Sequence, residues 1–214
     1  MKLIPAVNKV QRFLIIFYLI GSLGFMLPFT SSFFIQLIPL ALLLNVFLLV
    51  YFHKPQRLQN YAVMILVAVL GFAIEVVGVK TGVLFGNYYY GTALGPKLMG
   101  VPLLIGVNWF FLTYAATLIA GKIVGNTIVK ILLASAMVVV YDFVMEPVAV
   151  YTGMWYWTEG KIPTQNYLMW FITAAFFVFL FSRFAKGSRN PLALPILVLQ
   201  FLFFAALHLF IAYY

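Results

Sequence analysis

The chain has 214 residues, 65% of them hydrophobic and 8% charged, and its mean hydropathy is +1.10. Those values exclude a soluble globular domain and point to an integral membrane protein. The net charge of +9 comes from basic residues scattered between apolar stretches, which is a topology signal and not a nucleic-acid surface, and the lack of cysteine excludes disulfides, thiolate nucleophiles and sulfur metal ligands.

Apolar stretches long enough to cross a bilayer fall near 12–29, 33–52, 58–79, 101–120, 128–151, 166–184 and 192–212. The expected fold is therefore all-α: a polytopic membrane bundle of about seven helices, forming one domain over 1–214. Turn chemistry sets the breaks at Thr30-Ser31-Ser32, Lys54-Pro55, Gly121 to Asn126 and Lys186 to Pro191. The first stretch could be read as a signal peptide, but its bulky aromatics and the lack of a clean small-x-small site argue against cleavage. No soluble domain or linker is visible.

Charge sets the expected orientation. Lys2, Lys9, Arg12, Lys54, Arg57, Lys122, Lys130, Arg183, Lys186 and Arg189 fall on one side, against Lys80, Lys97 and Lys161 on the other. The bias predicts a cell (inner) membrane protein with a cytoplasmic N-terminus and an extracytoplasmic C-terminus. His53 and His208 lie far apart, so a histidine metal site is not expected, and both read as structural.

A duplication runs through the middle of the chain. Glu75-Val-Val-Gly-Val-Lys-Thr-Gly82 returns as Glu146-Pro-Val-Ala-Val-Tyr-Thr-Gly153, identical at five of eight positions. Pro102 precedes Trp109-Phe110 by the same seven residues that separate Pro163 from Trp170-Phe171. Two parallel helix hairpins are predicted, over about 58–120 and 128–184, and each would turn through an aromatic loop. One loop carries Phe85, Tyr88, Tyr89 and Tyr90, and the other Trp155, Tyr156 and Trp157. These rings would form an interfacial belt or a lid over a pocket.

The repeat sets Glu75 and Glu146 at one depth, roughly 10 Å below the outer helix ends, with Trp109 and Trp170 returning to the same level. Asp142, one turn before Glu146, adds a third acid on that face and aligns with Gly71 in the first copy. Burying one charge in a membrane costs at least about 2.5 kcal/mol. Three adjacent acids would also repel, so a neutral acid beside an ionised one is expected, an arrangement suited to general acid and general base work. The plainer alternative is that the acids only bond neighbouring helices. For the two tryptophans, ordinary packing is the alternative. Glu159 reads as a solvated loop residue.

Some chemistries are excluded. The last stretch has no lysine to anchor a retinal Schiff base. Asp142-x-x-x-Glu146 weakly suggests the acid pairs that hold magnesium diphosphate, but the outer side offers only three cations to bind such a group.

The run from Glu75 to Gly91, with Leu94-Gly95-Pro96, Val101-Pro102-Leu103, Asn108-Trp109, Asp142-x-x-x-Glu146-Pro147, Trp155-x-Trp157, Pro163 and Asn166-Tyr167-x-x-Trp170-Phe171, resembles the integral-membrane carotenoid biosynthesis proteins of the CruF type. These are carotenoid 1',2'-hydratases. The likeness covers about 70–175. Where many family members carry a second Asp before the proline, this chain has Glu146, which keeps the acid and lengthens its reach.

The resemblance implies acid-catalysed hydration of an acyclic carotenoid end group through a tertiary carbocation, with no metal or redox cofactor. It implies Asp142 or Glu75 as proton donor, Glu146 as water-activating base, and Trp109, Trp170 and Tyr88 as cation-facing walls. Asn108, Asn166, Phe85 and Trp155 complete the expected substrate site. The partners implied are an apolar isoprenoid drawn from the bilayer, membrane lipid and other carotenoid-pathway enzymes, with no nucleic acid. A membrane carotenoid cyclase using the same protonation is the nearest alternative, and a non-enzymatic carrier or proton-coupled transporter is the alternative from another class.

Overall fold

The computed structural model describes residues 3–213. Eight helices follow in order: α1 (Leu3–Met26), α2 (Pro28–Gln36), α3 (Ile38–Tyr51), α4 (Leu58–Thr81), α5 (Leu103–Ile123), α6 (Thr127–Tyr151), α7 (Thr164–Phe184) and α8 (Ala193–Tyr213). Four short strands lie between them: β1 (Tyr88–Tyr90), β2 (Lys97–Leu98), β3 (Val101–Pro102) and β4 (Trp155–Trp157). Among the described residues, six helices are long and apolar enough to cross a membrane, and counting α2 with α3 as one broken span raises the number to seven.

The second predicted span is not one helix. α2 and α3 meet at 54°. Pro39 near the start of α3 has no N–H to continue the helical ladder, and its ring conflicts with the Ile35 carbonyl one turn earlier, so the chain breaks at Leu37. Pro28 starts α2 in the position where a missing donor costs nothing.

α5 forms the axis of the bundle, with 78% of its membrane-crossing stretch buried inside, whereas no other span exceeds 44%. Small residues permit its close packing. A Cβ on Gly106 would run into the Ala68 carbonyl of α4, and one on Gly71 would lie 2.6 Å from Trp109 Cβ. The two long hairpins, α4 with α5 and α6 with α7, each place a left-handed glycine at the end of the first helix: Gly82 at φ 65° and Gly153 at φ 73°. Only glycine takes this conformation without strain, so both chains turn at the same point past their glutamate.

The turns then meet. β1 and β4 pair antiparallel, with Tyr88 opposite Trp157, Tyr89 opposite Tyr156 and Tyr90 opposite Trp155. At the other end of the bundle, Lys54 and Arg189 exchange backbone hydrogen bonds of 2.9 and 2.6 Å, joining the α3–α4 link to the α7–α8 link. Beneath that bridge the fully buried His53 bonds Tyr114 Oη through Nδ1 at 2.7 Å and Asn60 through Nε2 at 3.0 Å. Asn190 donates to the same Tyr114 oxygen at 3.2 Å and to the Leu49 carbonyl at 2.7 Å. His208 bonds the Val144 carbonyl at 3.1 Å. Both histidines are tied into helix and loop contacts.

Candidate active site

Helix spacing sets the two glutamates one above each aromatic turn, and the strand pairing brings their donors to them. In a strand, residues two apart point to the same face, so Tyr88 and Tyr90 of β1 address one carboxylate together. Tyr88 Oη donates to Glu75 Oε2 at 2.5 Å and Tyr90 Oη donates to the same oxygen at 2.7 Å. Trp109 Nε1 donates to Glu75 Oε1 at 2.8 Å. On the other strand, Trp155 and Trp157 donate their indole N–H groups to Glu146 Oε2 at 2.9 and 3.0 Å. Each glutamate thus receives two donors from its own hairpin's loop and a third from the returning helix.

The third donor to Glu146 is shared. Asn166 Nδ2 donates to Glu146 Oε1 at 3.2 Å and to Asp142 Oδ2 at 3.1 Å. Asp142 is fully buried, and its Oδ1 has no hydrogen-bond partner. Of the three acids, Asp142 is the one short of donors. An ionised carboxylate with a bare buried oxygen is costly, whereas a protonated one needs fewer donors.

Glu75 and Glu146 line one small chamber of about 20 Å³ with Phe85, Tyr88, Tyr90, Ile105, Trp155, Trp157, Asn166 and Trp170. That is room for about one water molecule. Beside it lies a much larger apolar cavity of about 640 Å³ between α1, the α2–α3 pair, α5, α6 and α8. Ile105 and Trp155 line both spaces, so these two side chains form the partition.

Burial raises the ionisation of Tyr88 and Tyr90 far above the usual phenol range, and the neighbouring Glu75 charge raises it further. Both phenols therefore remain donors at any physiological pH. Lys97 Nζ reaches the Tyr90 carbonyl at 2.5 Å and fixes the end of β1. Phe85 and Trp170 stand in the chamber wall, as do Tyr88, Trp155 and Asn166.

Two expected wall residues lie elsewhere. Trp109 is fully buried behind the chamber, its N–H engaged by Glu75 and its ring 4.3 Å from that of Trp170. Asn108 faces the large cavity. Asp142 sits behind Asn166 and is not part of the chamber wall. Sequence reasoning passed over Tyr90 and Trp157 as carboxylate donors and Ile105 as part of the partition. The spacing by two in Tyr88-Tyr-Tyr90 and Trp155-Tyr-Trp157 was the available signal for the first pair.

The family model for carotenoid biosynthesis proteins matches residues 34–214. The chain belongs to that family. A relative within reach of alignment is the bisanhydrobacterioruberin hydratase of Haloarcula japonica, 37% identical over 118 residues. That alignment takes in 51% of this chain and 40% of the relative, so the likeness spans less than half of the relative's length. No solved structure matches the chain. Among carotenoid biosynthesis proteins, this one therefore offers a membrane bundle with two glutamates facing a chamber of water size.

Proposed function

We propose that this protein is a carotenoid hydratase that adds water across the terminal 1',2' double bond of an acyclic end group. The observation that carries the reading is the paired chamber: two buried glutamates with separate donor sets face a space for one water, next to an apolar cavity. The hydratase likeness of the Haloarcula japonica relative supports it.

The donor sets suggest a division of labour. Glu75, with three donors of its own, is the ionised partner, and Asp142 and Glu146 titrate as one coupled pair that keeps a single proton, with Asn166 donating to both. Glu146 faces the chamber, so the proton leaves the pair from its carboxyl. It adds to the less substituted alkene carbon, and the π electrons form that C–H bond and leave a tertiary cation. The ring faces of Trp157, Trp170 and Tyr88 stabilise that charge. Water oxygen bonds the cation, and its released proton passes to Glu75. A proton returning from Glu75 to Glu146 across the shared chamber restores the starting state.

This division reverses the sequence expectation for the glutamates, because the three Glu75 donors serve it alone whereas Glu146 shares Asn166 with Asp142, which lies off the wall. A cyclase would have to fold a whole end group where the chamber has room for one water, which favours hydration. The orientation with basic loops in the cytoplasm belongs to the same reading, supported by Lys54 and Arg189 meeting at one end. The test is incubation of purified protein with an acyclic-ended carotenoid. Hydration raises product mass by one water, whereas unchanged mass with altered retention indicates cyclisation, and recovery of intact pigment indicates a carrier.

A further inference from the structure

The large cavity is not uniformly apolar. Four buried side chains in its wall carry oxygens with no well-formed hydrogen bond: Tyr18 of α1 and its neighbour Asn45 of α3, Tyr141 of α6 and Gln200 of α8. They are 7%, 1%, 2% and 9% exposed, so bulk water does not satisfy them. Leaving several such groups bare in an apolar setting is costly, and four of the helices that wall this cavity each supply one. The rings are fixed by packing, Tyr18 at 5.8 Å from Phe203 and Tyr141 at 5.7 Å from Phe204.

The chemistry of the set is selective. Asn45 Nδ2 donates one hydrogen to the Ala41 carbonyl at 2.8 Å, and its Oδ1 is a bare acceptor. Gln200 Oε1 is a second acceptor, and the two phenols can donate or accept. The cavity wall has no Lys, Arg or His to hold an anion and no carboxylate to hold a cation. A neutral O–H group fits, giving its hydrogen to an amide oxygen and taking one from a phenol. The rim includes the exposed Ile16, Ile20 and Leu40, so the cavity is reached from the apolar side of the bundle and not through the polar turns. Its volume of about 640 Å³ is that of a site for one elongated apolar molecule in part.

We propose that Tyr18, Asn45, Tyr141 and Gln200 form a hydroxyl-binding subsite, and that the cavity takes an isoprenoid bearing an alcohol as well as the alkene that reacts. This rests on the reading above that the occupant is an isoprenoid, and it adds recognition of a polar substituent that the hydration step itself does not require.

Direct binding tests it. Glu146→Gln protein in lipid nanodiscs, which prevents turnover under that reading, is titrated with lycopene and with the tertiary alcohol formed by hydrating one of its ends, following quenching of tryptophan fluorescence. The alcohol binds about tenfold more tightly, the margin of roughly one net hydrogen bond. Adding Tyr18→Phe and Tyr141→Phe together removes the preference and leaves lycopene affinity unchanged, while both rings keep their packing. Equal affinities before those changes overturn the proposal and assign the polar cluster to water alone. A preference that survives both changes overturns it as well. Wild-type turnover is read separately by product mass: alcohol preference without hydration sinks the hydratase reading and keeps the subsite, and hydration without preference does the reverse.

Discussion

Tyr88 and Trp157 stand opposite each other in the β1–β4 ladder with ring centroids 5.3 Å apart, yet they donate to different glutamates, Tyr88 to Glu75 and Trp157 to Glu146. The ladder therefore couples the two carboxylates through backbone register and not through a hydrogen bond between them. Tyr88→Phe removes one donor from Glu75 and keeps the ring contact. A hydrogen bond to a charged group contributes about 1.5–3 kcal/mol, so turnover falls by roughly tenfold or more while carotenoid binding persists. Trp157→Phe acts the same way on Glu146, and a double variant departs from additivity, which initial rates of the four proteins reveal.

Replacing the acids separates their roles. Glu75→Gln and Glu146→Gln each lower the rate of hydration by about 10²–10⁴-fold, the usual contribution of a positioned acid or base. Asp142→Asn retains the buried volume and lowers the rate less, since it acts through Asn166 on Glu146 and does not face the chamber. Mass analysis of pigment after timed incubation checks this order, with elution profile as the control for folding.

Gly71 occupies the position where the second copy of the repeat has Asp142. A methyl group there would lie 2.6 Å from Trp109 Cβ. Gly71→Ala costs about 1–3 kcal/mol of stability by overpacking and draws the Trp109 N–H away from Glu75. Thermal denaturation in detergent and the rate should fall together. Gly125→Ala, where nothing lies within 4 Å of the added atom, leaves both unchanged.

The partition between cavity and chamber gives a kinetic prediction. Ile105 is buried and belongs to both walls. Ile105→Trp thickens that partition, so rate at low substrate drops about tenfold or more. Ile105→Ala thins the partition and admits more water. A KM and kcat comparison of the two variants checks this.

Alkaline pH probes the phenols. Tyr88 and Tyr90 ionise near 10.0 when unfolded and far above that when folded, because burial and then the Glu75 charge oppose the phenolate. The folded state keeps two protons that the unfolded state loses as pH rises past 10.0. Their stabilising contribution is complete below that pH and disappears above it. Denaturation midpoints measured from pH 8 to 11 fall at the upper end, and the fall is shallower in Tyr88→Phe with Tyr90→Phe. At the opposite end of the bundle, burial lowers the His53 pKa, with Lys54 adding to the effect against a bond to the Pro55 backbone. The unfolded chain then takes up a proton first, and stability declines as pH drops below about 6.5.

The spacing of Glu75 and Glu146 from their glycines was readable in the sequence because it depends on helix rise and a left-handed cap, both local rules. The bundle was readable for the same reason. What escaped depends on contacts between distant segments. Tyr90 and Trp155 lie 65 positions apart in number, and nothing local announces that their turns form one ladder. Asn166 as the bridge between Asp142 and Glu146 required the crossing of α6 and α7. The break at Leu37 was carried by Pro39, hidden inside a run apolar enough to pass as one span. The N–H of Trp109 turned out to hold Glu75, so this tryptophan positions an acid from behind and presents no face to the chamber.

The β1–β4 ladder closes the polar end of the reaction space as one piece, since each half of that roof is stitched to the other by main-chain bonds. Neither turn can lift alone without unzipping its counterpart and stripping a glutamate of its donors. Under the proposed hydration, substrate would then enter from the greasy flank, and a short-lived cation formed beneath the roof would meet a rationed nucleophile instead of the aqueous phase.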